Sequence, residues 1–301
     1  MVGLTSLRVS ATSDRIHQTV ALLQRRGYAL APERLGAVCL GGPVSSDEVR
    51  WAVAGSPQLA VEGDLVVTHS TIHRAAEIRS RALDHGAEAG AYVRMTMRFV
   101  RALVALAPFI RSVSIAGSLA SGGFRSSDDV DLNLIVDDGH RHLAYVAVSG
   151  LGLVHALSHR HKPVDDLTRR PVAPRLMTAN LILERSQCFP LARQDEEMAY
   201  ELLASEPVHG ADFWRELVSA NPGLLDHFPQ LAERSAPWAT EIGATVPRWL
   251  YRRSLDLPAR WLGGAAWRYM QWTRRKRPEA LARVAYVRGT MRPYALFDRP
   301  G

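Results

Sequence analysis

Apolar residues recur along this chain at two spacings, one near 3.6 and one near 2, and the switches between them outline its elements. In the first seventy residues Ile16, Val20, Leu22 and Leu23 mark a helical stripe, with Asp14 placed as its N-cap and Gly27 near its close. Ala31-Pro32-Glu33-Arg34-Leu35 starts a second short helix ending at Gly41-Gly42, and Ser45-Ser46-Asp47-Glu48 caps a third through Val49, Trp51 and Val53. Gln58–Val61 and Asp64–Thr68 flank a Glu62-Gly63 turn and predict a hairpin.

Three short helices followed by a hairpin is the order of a winged helix-turn-helix, expected over residues 1–70. Ile72 to Pro108 follows as mostly helical sequence, with Met95, Phe99, Leu103 and Leu106 on one face and Pro108 as the stop. Then come a strand, Val113–Ala116, a turn, Gly117–Ser127, and a second strand, Val130–Val136. A helix from about His142 to Leu157, a polar loop, Arg160–Pro174, and a strand, Leu176–Glu184, complete a core over 71–194. From 195 to 301 the pattern is helical again: Glu196–Leu203, Ala211–Ala220 and Pro258–Arg275, with an irregular tail, Ala285–Gly301, packed back on the body. The fold class is therefore α/β, of the α+β kind, in three parts.

Composition narrows the function only a little. Hydrophobic content of 47% and charged content of 22% are ordinary for a soluble globular chain. Two cysteines, Cys39 and Cys188, are too few for a disulfide framework, which points to a reducing cytoplasm. The first fifteen residues lack the apolar run of a signal peptide, and no charge-free stretch is long enough for a membrane span. The net charge of +7 invites a nucleic-acid partner, yet all but Lys162 and Lys276 of the 37 basic residues are arginine. That bias reads as GC-rich coding, so a soluble basic surface is preferred to selection for phosphate contacts.

The chemistry concentrates in Ala116–Val136. Strand alternation puts Val130, Leu132 and Leu134 on one face and Asp129, Asp131 and Asn133 on the other. Carboxylates at i and i+2 stand roughly 7 Å apart at the backbone, close enough to share one cation or hold two adjacent ones. Magnesium suits that set, because it takes a few carboxylate oxygens and completes its shell with phosphate and water. Gly117 permits a tight turn and close approach, while Ser118 opens a short helix whose hydroxyl and amides can face an anion. No Walker loop and no Gly-x-Gly-x-x-Gly occurs.

Ala116-Gly117-Ser118, ten intervening residues, then Asp129-Val130-Asp131-Leu132 resembles the signature of the DNA polymerase β-like nucleotidyltransferase superfamily. A looser likeness runs through Leu176–Gln230 to uncharacterised bacterial members with a winged-helix front end. The resemblance implies a small mixed sheet with flanking helices and transfer of a nucleoside monophosphate from a triphosphate, ATP for preference, to an acceptor hydroxyl. It implies two magnesium ions on Asp129 and Asp131, with Gly117 and Ser118 on the β/γ-phosphates. It also implies a third carboxylate on a neighbouring strand, and here the sequence departs from the pattern. Along 176–184 the polar face reads Thr178, Asn180, Ile182, Glu184; Asn180 falls at the expected place and is not a base. Glu184 is the candidate third acid, with an exposed strand-end charge as its alternative, and Asp165-Asp166 is a weaker option in a loop.

Other features carry bland readings beside sharp ones. Arg125 can reach a phosphate or be a surface arginine. His140, His142, His155, His159 and His161 suggest a metal cluster, but solvent-exposed histidines are favoured. Trp261, Trp267, Tyr269 and Trp272 ahead of Arg274-Arg275-Lys276-Arg277 suit a membrane surface or nucleic acid, whereas core packing is favoured. The winged-helix-like region defines the rival hypothesis, a DNA-binding regulator with a degenerate nucleotide site. Its third helix offers Arg50 as the lone cation, so a role in packing or homodimer formation is preferred.

Overall fold

The computed structural model describes residues 2–163 and 176–275, then 278, 281–282, 285–286, 289 and 293–297. The chain opens with α1 (Val2–Arg25), α2 (Pro32–Ala37) and α3 (Ser46–Ala54), followed by an antiparallel hairpin, β1 (Leu59–Glu62) and β2 (Leu65–Thr68). Helix α1 starts well before Asp14, so that aspartate lies inside the helix and is not its N-cap. Arg15 instead fastens α1 to the following turn, donating to the carbonyls of Leu40 and Gly42. The predicted cap of α3 is present as a reciprocal pair: Ser45 Oγ accepts from the Glu48 amide, and the Glu48 carboxylate accepts from the Ser45 amide. Val49, Ala52 and Val53 turn inward, whereas Trp51 stands on the outer face.

The long α4 (Ala75–Leu106) leads into β3 (Ile110–Ala116), the short α5 (Gly117–Ser121) and β4 (Val130–Val136). Then come α6 (Arg141–Leu157), β5 (Met177–Glu184), α7 (Arg185–Cys188) and α8 (Glu196–Ala204). The chain continues through β6 (Glu206–His209), α9 (Ala211–Ser219), α10 (Pro222–His227) and α11 (Asp256–Arg274). The sheet runs β5-β4-β3-β6, with β3 antiparallel to both neighbours and β4 parallel to β5. A parallel neighbour requires a crossover, and α6 lies in the crossover chain here. The chain is thus mixed α/β with a small mixed sheet. Strand β6 had no counterpart in the sequence reading. It is four residues long and contains Pro207, which a sheet tolerates on an edge strand.

Each face of the sheet carries its own core. Val130, Leu132, Leu134 and Val136 pack with Phe99 and Leu103 of α4 and with Ala144 and Val148 of α6. On the other face Ile135, Leu181 and Leu183 join Ile16 and Val20 of α1, Val49 of α3, Met198 and Leu202 of α8, and Leu217 of α9. Residues before position 70 and after position 194 therefore share one apolar core, closed over the sheet from both ends of the chain.

Helix α11 corrects an expectation. Its inner stripe is made of small residues, Ala259 and Gly263, that let it approach α6 closely. A Cβ at Gly263 would lie 2.9 Å from the Phe297 ring and 3.0 Å from Tyr145. The larger Trp261, Tyr269 and Trp272 fall on the opposite side and are exposed, not packed in a core; Trp267 alone of the series meets Phe297. Of the tail, residues 293–297 pack back as expected, with the buried Tyr294 hydroxyl accepting from the Ala192 amide at 2.7 Å. Among the described residues no helix is long and apolar enough to cross a membrane.

Candidate functional site

Register builds the site. Ala116 at the end of β3 pairs with Asp131 near the start of β4, so the chain leaves the sheet at Gly117 directly beside the Asp-x-Asp strand. Gly117 is demanded twice. Its φ of +61° lies in the left-handed region, and a Cβ there would stand 2.2 Å from Asp131 Oδ2. The other Asp131 oxygen, Oδ1, accepts from Thr178 Oγ1 on β5 at 2.7 Å. Gly117, Asp131 and Thr178 thus converge at one end of the sheet.

Asp128, which the sequence reading passed over, organises the turn. Its Oδ2 accepts from Ser118 Oγ at 3.1 Å, the Arg125 amide at 3.1 Å and Arg81 of α4 at 2.7 Å. The Ser118 hydroxyl is therefore directed at Asp128. Arg125 is held by α4 through Asp84 at 3.0 Å, which keeps its guanidinium at the rim of the loop. Tyr28, from the turn after α1, lies over α5: its hydroxyl meets Ser121, and Asp131 and Glu201 are near enough to act on it. Burial first, and those two acids after it, push the phenol above its usual range, so it stays a neutral donor at physiological pH.

The polar face continues inward from Asp131 through Asn133, and β5 answers with a bulge. Leu132 pairs with Ala179 and Asn133 with Leu181, leaving Asn180 as the extra residue. Asn180 Nδ2 donates to Asn133 Oδ1 at 3.0 Å and to Glu201 Oε1 at 3.0 Å. Asn133 Nδ2 donates to the same Glu201 oxygen at 2.9 Å, and Arg26 grips the other at 2.7 Å. Glu201 is buried in α8, behind the Asp-x-Asp strand. A carboxylate one turn after Met198 and next to Leu202, within an apolar stripe, was the signal for it.

The bulge also reverses the alternation beyond it. Leu181 and Leu183 join the core on the carboxylate side and Ile182 joins the other, opposite to the face predicted by strict alternation. Glu184 ends at the far end of β5, opposite Val136, where it accepts from the Gly139 amide and caps α7. The structure does not bring Glu184 to Asp129 and Asp131. Asp165 and Asp166 lie outside the described residues.

Among the described residues no three His, Cys, Asp or Glu groups stand together as a metal cluster. His155 and His159 stay together, with ring centroids 4.7 Å apart, while His140 is buried between the carbonyls of Asp138 and Tyr251 and His142 pairs with Asp256 at 2.7 Å. Neither is the solvent-exposed residue that was favoured. Asp129 precedes β4; the β5 residue facing Asp131 is the neutral Thr178, and Asn180 lies further in, at Asn133. That donor set fits an ion with a small protein share of its shell, completed by phosphate and water, and not an all-protein cage. A cleft of about 310 Å³ opens elsewhere, at the other end of β4, lined by Phe109, Asp137, Asp138, His140 and Arg253 among others. Its acids are already matched, Asp137 by Arg111 and Arg248 and Asp138 by the Ser186 amide. The convergence at Gly117 carries more chemistry.

No known protein family, curated protein or solved structure matches the chain. Function therefore rests on the residues themselves.

Proposed function

We propose that the chain is a magnesium-dependent nucleotidyltransferase of the polymerase β-like kind, with a winged-helix-like module in front and a helical region behind. The observation that carries this reading is the packing of Gly117 against Asp131 through the Ala116–Asp131 register. It sets the Gly117 turn against Asp131 of the Asp-x-Asp pair with no side chain between the turn and that carboxylate. In this reading Asp129 and Asp131 hold the metal, two ions in the full complex, and Gly117 with the α5 turn receives the β/γ-phosphates of ATP or another nucleoside triphosphate. Bound magnesium supplies charge neutralisation for the triphosphate and the departing pyrophosphate. The acceptor oxygen forms its bond to the α-phosphorus as the bond to the β-phosphate oxygen breaks, and the hydroxyl proton leaves to solvent. Thr178 orients Asp131, Ser118 and Arg125 shape the turn through Asp128, and Tyr28 closes over it. Asn180 serves as a positioning residue for Glu201 and Asn133.

The N-terminal module acts in this reading as a structural lid and not as a DNA reader. Arg50, the lone cation of α3, is already engaged by Glu33 and Asp47, and the module shares its core with α8 and α9. Calorimetry with each nucleoside triphosphate and magnesium tests the proposal. Saturable binding is expected, and Asp129→Ala with Asp131→Ala should abolish it without unfolding the chain. Undiminished binding in the double variant refutes the assignment.

A further inference from the structure

The outer face of α11 presents an aromatic surface for which the proposed chemistry has no use. Leu257, Trp261, Leu262, Tyr269 and Trp272 lie along this helix and are all exposed, Trp261 to 71%. Trp249, in the segment leading to α11, is 72% exposed. The helix sets its inner face against Tyr145 and Phe297, and among the described residues this stripe stays exposed. Soluble chains seldom leave a contiguous face of this kind bare unless something docks there.

Charge selects the occupant. Residues 242–278 contain nine Lys or Arg and a single acid, Asp256, which is committed to His142 and the Leu143 amide. Arg268 rises within the stripe, Arg260 flanks it, and the Arg275 guanidinium lies 4.8 Å over the Trp272 ring. A second copy placed on this face would oppose cation to cation. A nucleic acid would use the cations and the rings but gains nothing from exposed Leu257 and Leu262. Aliphatic residues, indole rings and arginines on one helix face match the three depths of an anionic bilayer surface: acyl chains, headgroup boundary and phosphates.

We propose that α11 docks the protein on an anionic lipid surface, lying in the interface without crossing it. Helix α6 separates α11 from the sheet, and the carboxylate face is on the sheet's other side, away from the docking surface. The inference is independent of the nucleotidyltransferase reading.

Flotation of the full chain with phosphatidylcholine vesicles, alone or containing phosphatidylglycerol, tests it. Binding to the anionic vesicles should be at least about tenfold tighter than to the neutral ones, and should weaken with salt. Trp261→Ser with Trp272→Ser should lower it roughly tenfold or more at unchanged circular dichroism, and Arg260→Glu with Arg268→Glu should erase the preference for the anionic lipid. Equal or undetectable binding to both vesicles overturns the proposal, as does a folded tryptophan double variant that binds the anionic vesicles undiminished. An RNA mobility shift or a dimer, either lost in that variant while vesicles stay unbound, would assign the face to that partner instead.

Discussion

Replacing Arg26 by methionine should be among the most damaging single changes away from the apolar cores. Arg26 follows the last residue of α1 and reaches across to α8, where it donates to Glu201 at 2.7 Å, to the Glu197 carboxylate at 3.0 Å and to the Glu197 carbonyl at 2.8 Å. Its guanidinium also lies 5.1 Å from the Tyr200 ring centre. Burial opposes its charge, but Glu201 and Glu197 outweigh burial and hold it above the ordinary arginine value. Methionine keeps most of the volume and removes the charge. Glu201 would then remain buried with two neutral amide donors, from Asn133 and Asn180, and no countercharge. Stranding one member of a buried pair costs about 3–5 kcal/mol. The retained amides and the slight exposure of the pair, 14% and 9%, place the estimate at the low end, ~3 kcal/mol. Glu201→Gln alone should cost less, because it leaves no buried anion, and the double variant should cost less than the sum, with coupling of ~1–2 kcal/mol. Urea unfolding followed by tryptophan fluorescence and circular dichroism measures all three. A loss below ~1 kcal/mol for Arg26→Met, or additivity within ~0.5 kcal/mol, would refute the reasoning.

Gly117→Ala forces a left-handed φ on an L residue and drives a methyl into Asp131, so ~1–2 kcal/mol should be lost and magnesium-dependent nucleotide binding with it; urea unfolding and calorimetry read the two effects separately. Burial pushes the Cys188 thiol up to about 12 and raises that of Cys39. Both should ignore a thiol-reactive dye until the chain unfolds. The stability these thiols contribute is complete below the unfolded thiol value of about 8.5 and declines as pH rises past it. Burial tends to raise Asp256, but the His142 hydrogen bond and the Leu143 amide prevail and lower it. Its contribution is present above an unfolded value of about 3.9 and is lost as pH falls through the depressed folded one. Asp256→Asn should therefore flatten the acid limb of a Tm-against-pH curve below about pH 4, and an unchanged limb would contradict the pairing.

The sequence revealed those features whose cause is local. Strand β4 was legible to the residue because Val130, Leu132 and Leu134 alternate with polar neighbours, and α3 because its capping box is written within four positions. Features caused by distant partners were not. Nothing near Asn180 signals a bulge, since the bulge answers a mismatch with β4, and once it is present period-two counting assigns Ile182 and Leu183 to the wrong faces. Helix α1 overran its apparent cap at Asp14, because a capping residue inside a longer helical run is only a polar position. The aromatic stripe of α11 has helical spacing, and spacing does not say which side of the helix meets the body; Ala259 and Gly263 decided that.

The neutral residues beside Asp131 bear directly on the proposed chemistry. Where a third acid was sought, β5 supplies Thr178, which donates to Asp131, and Asn180, which turns to Glu201. Both Glu201 oxygens are taken up, one by Arg26 and the other by two amides, so this carboxylate is engaged behind the strand. Under the proposed reading the described residues of β4, β5 and α8 therefore contribute metal binding and phosphate positioning, and with no base among them the acceptor brings its own nucleophilicity. That favours an acceptor hydroxyl of low pKa, such as a phenol or a phosphate-activated oxygen, over a simple alcohol. A rate with an aliphatic alcohol equal to that with a phenol of similar size would argue against this consequence, because only an enzyme-borne base would level the two.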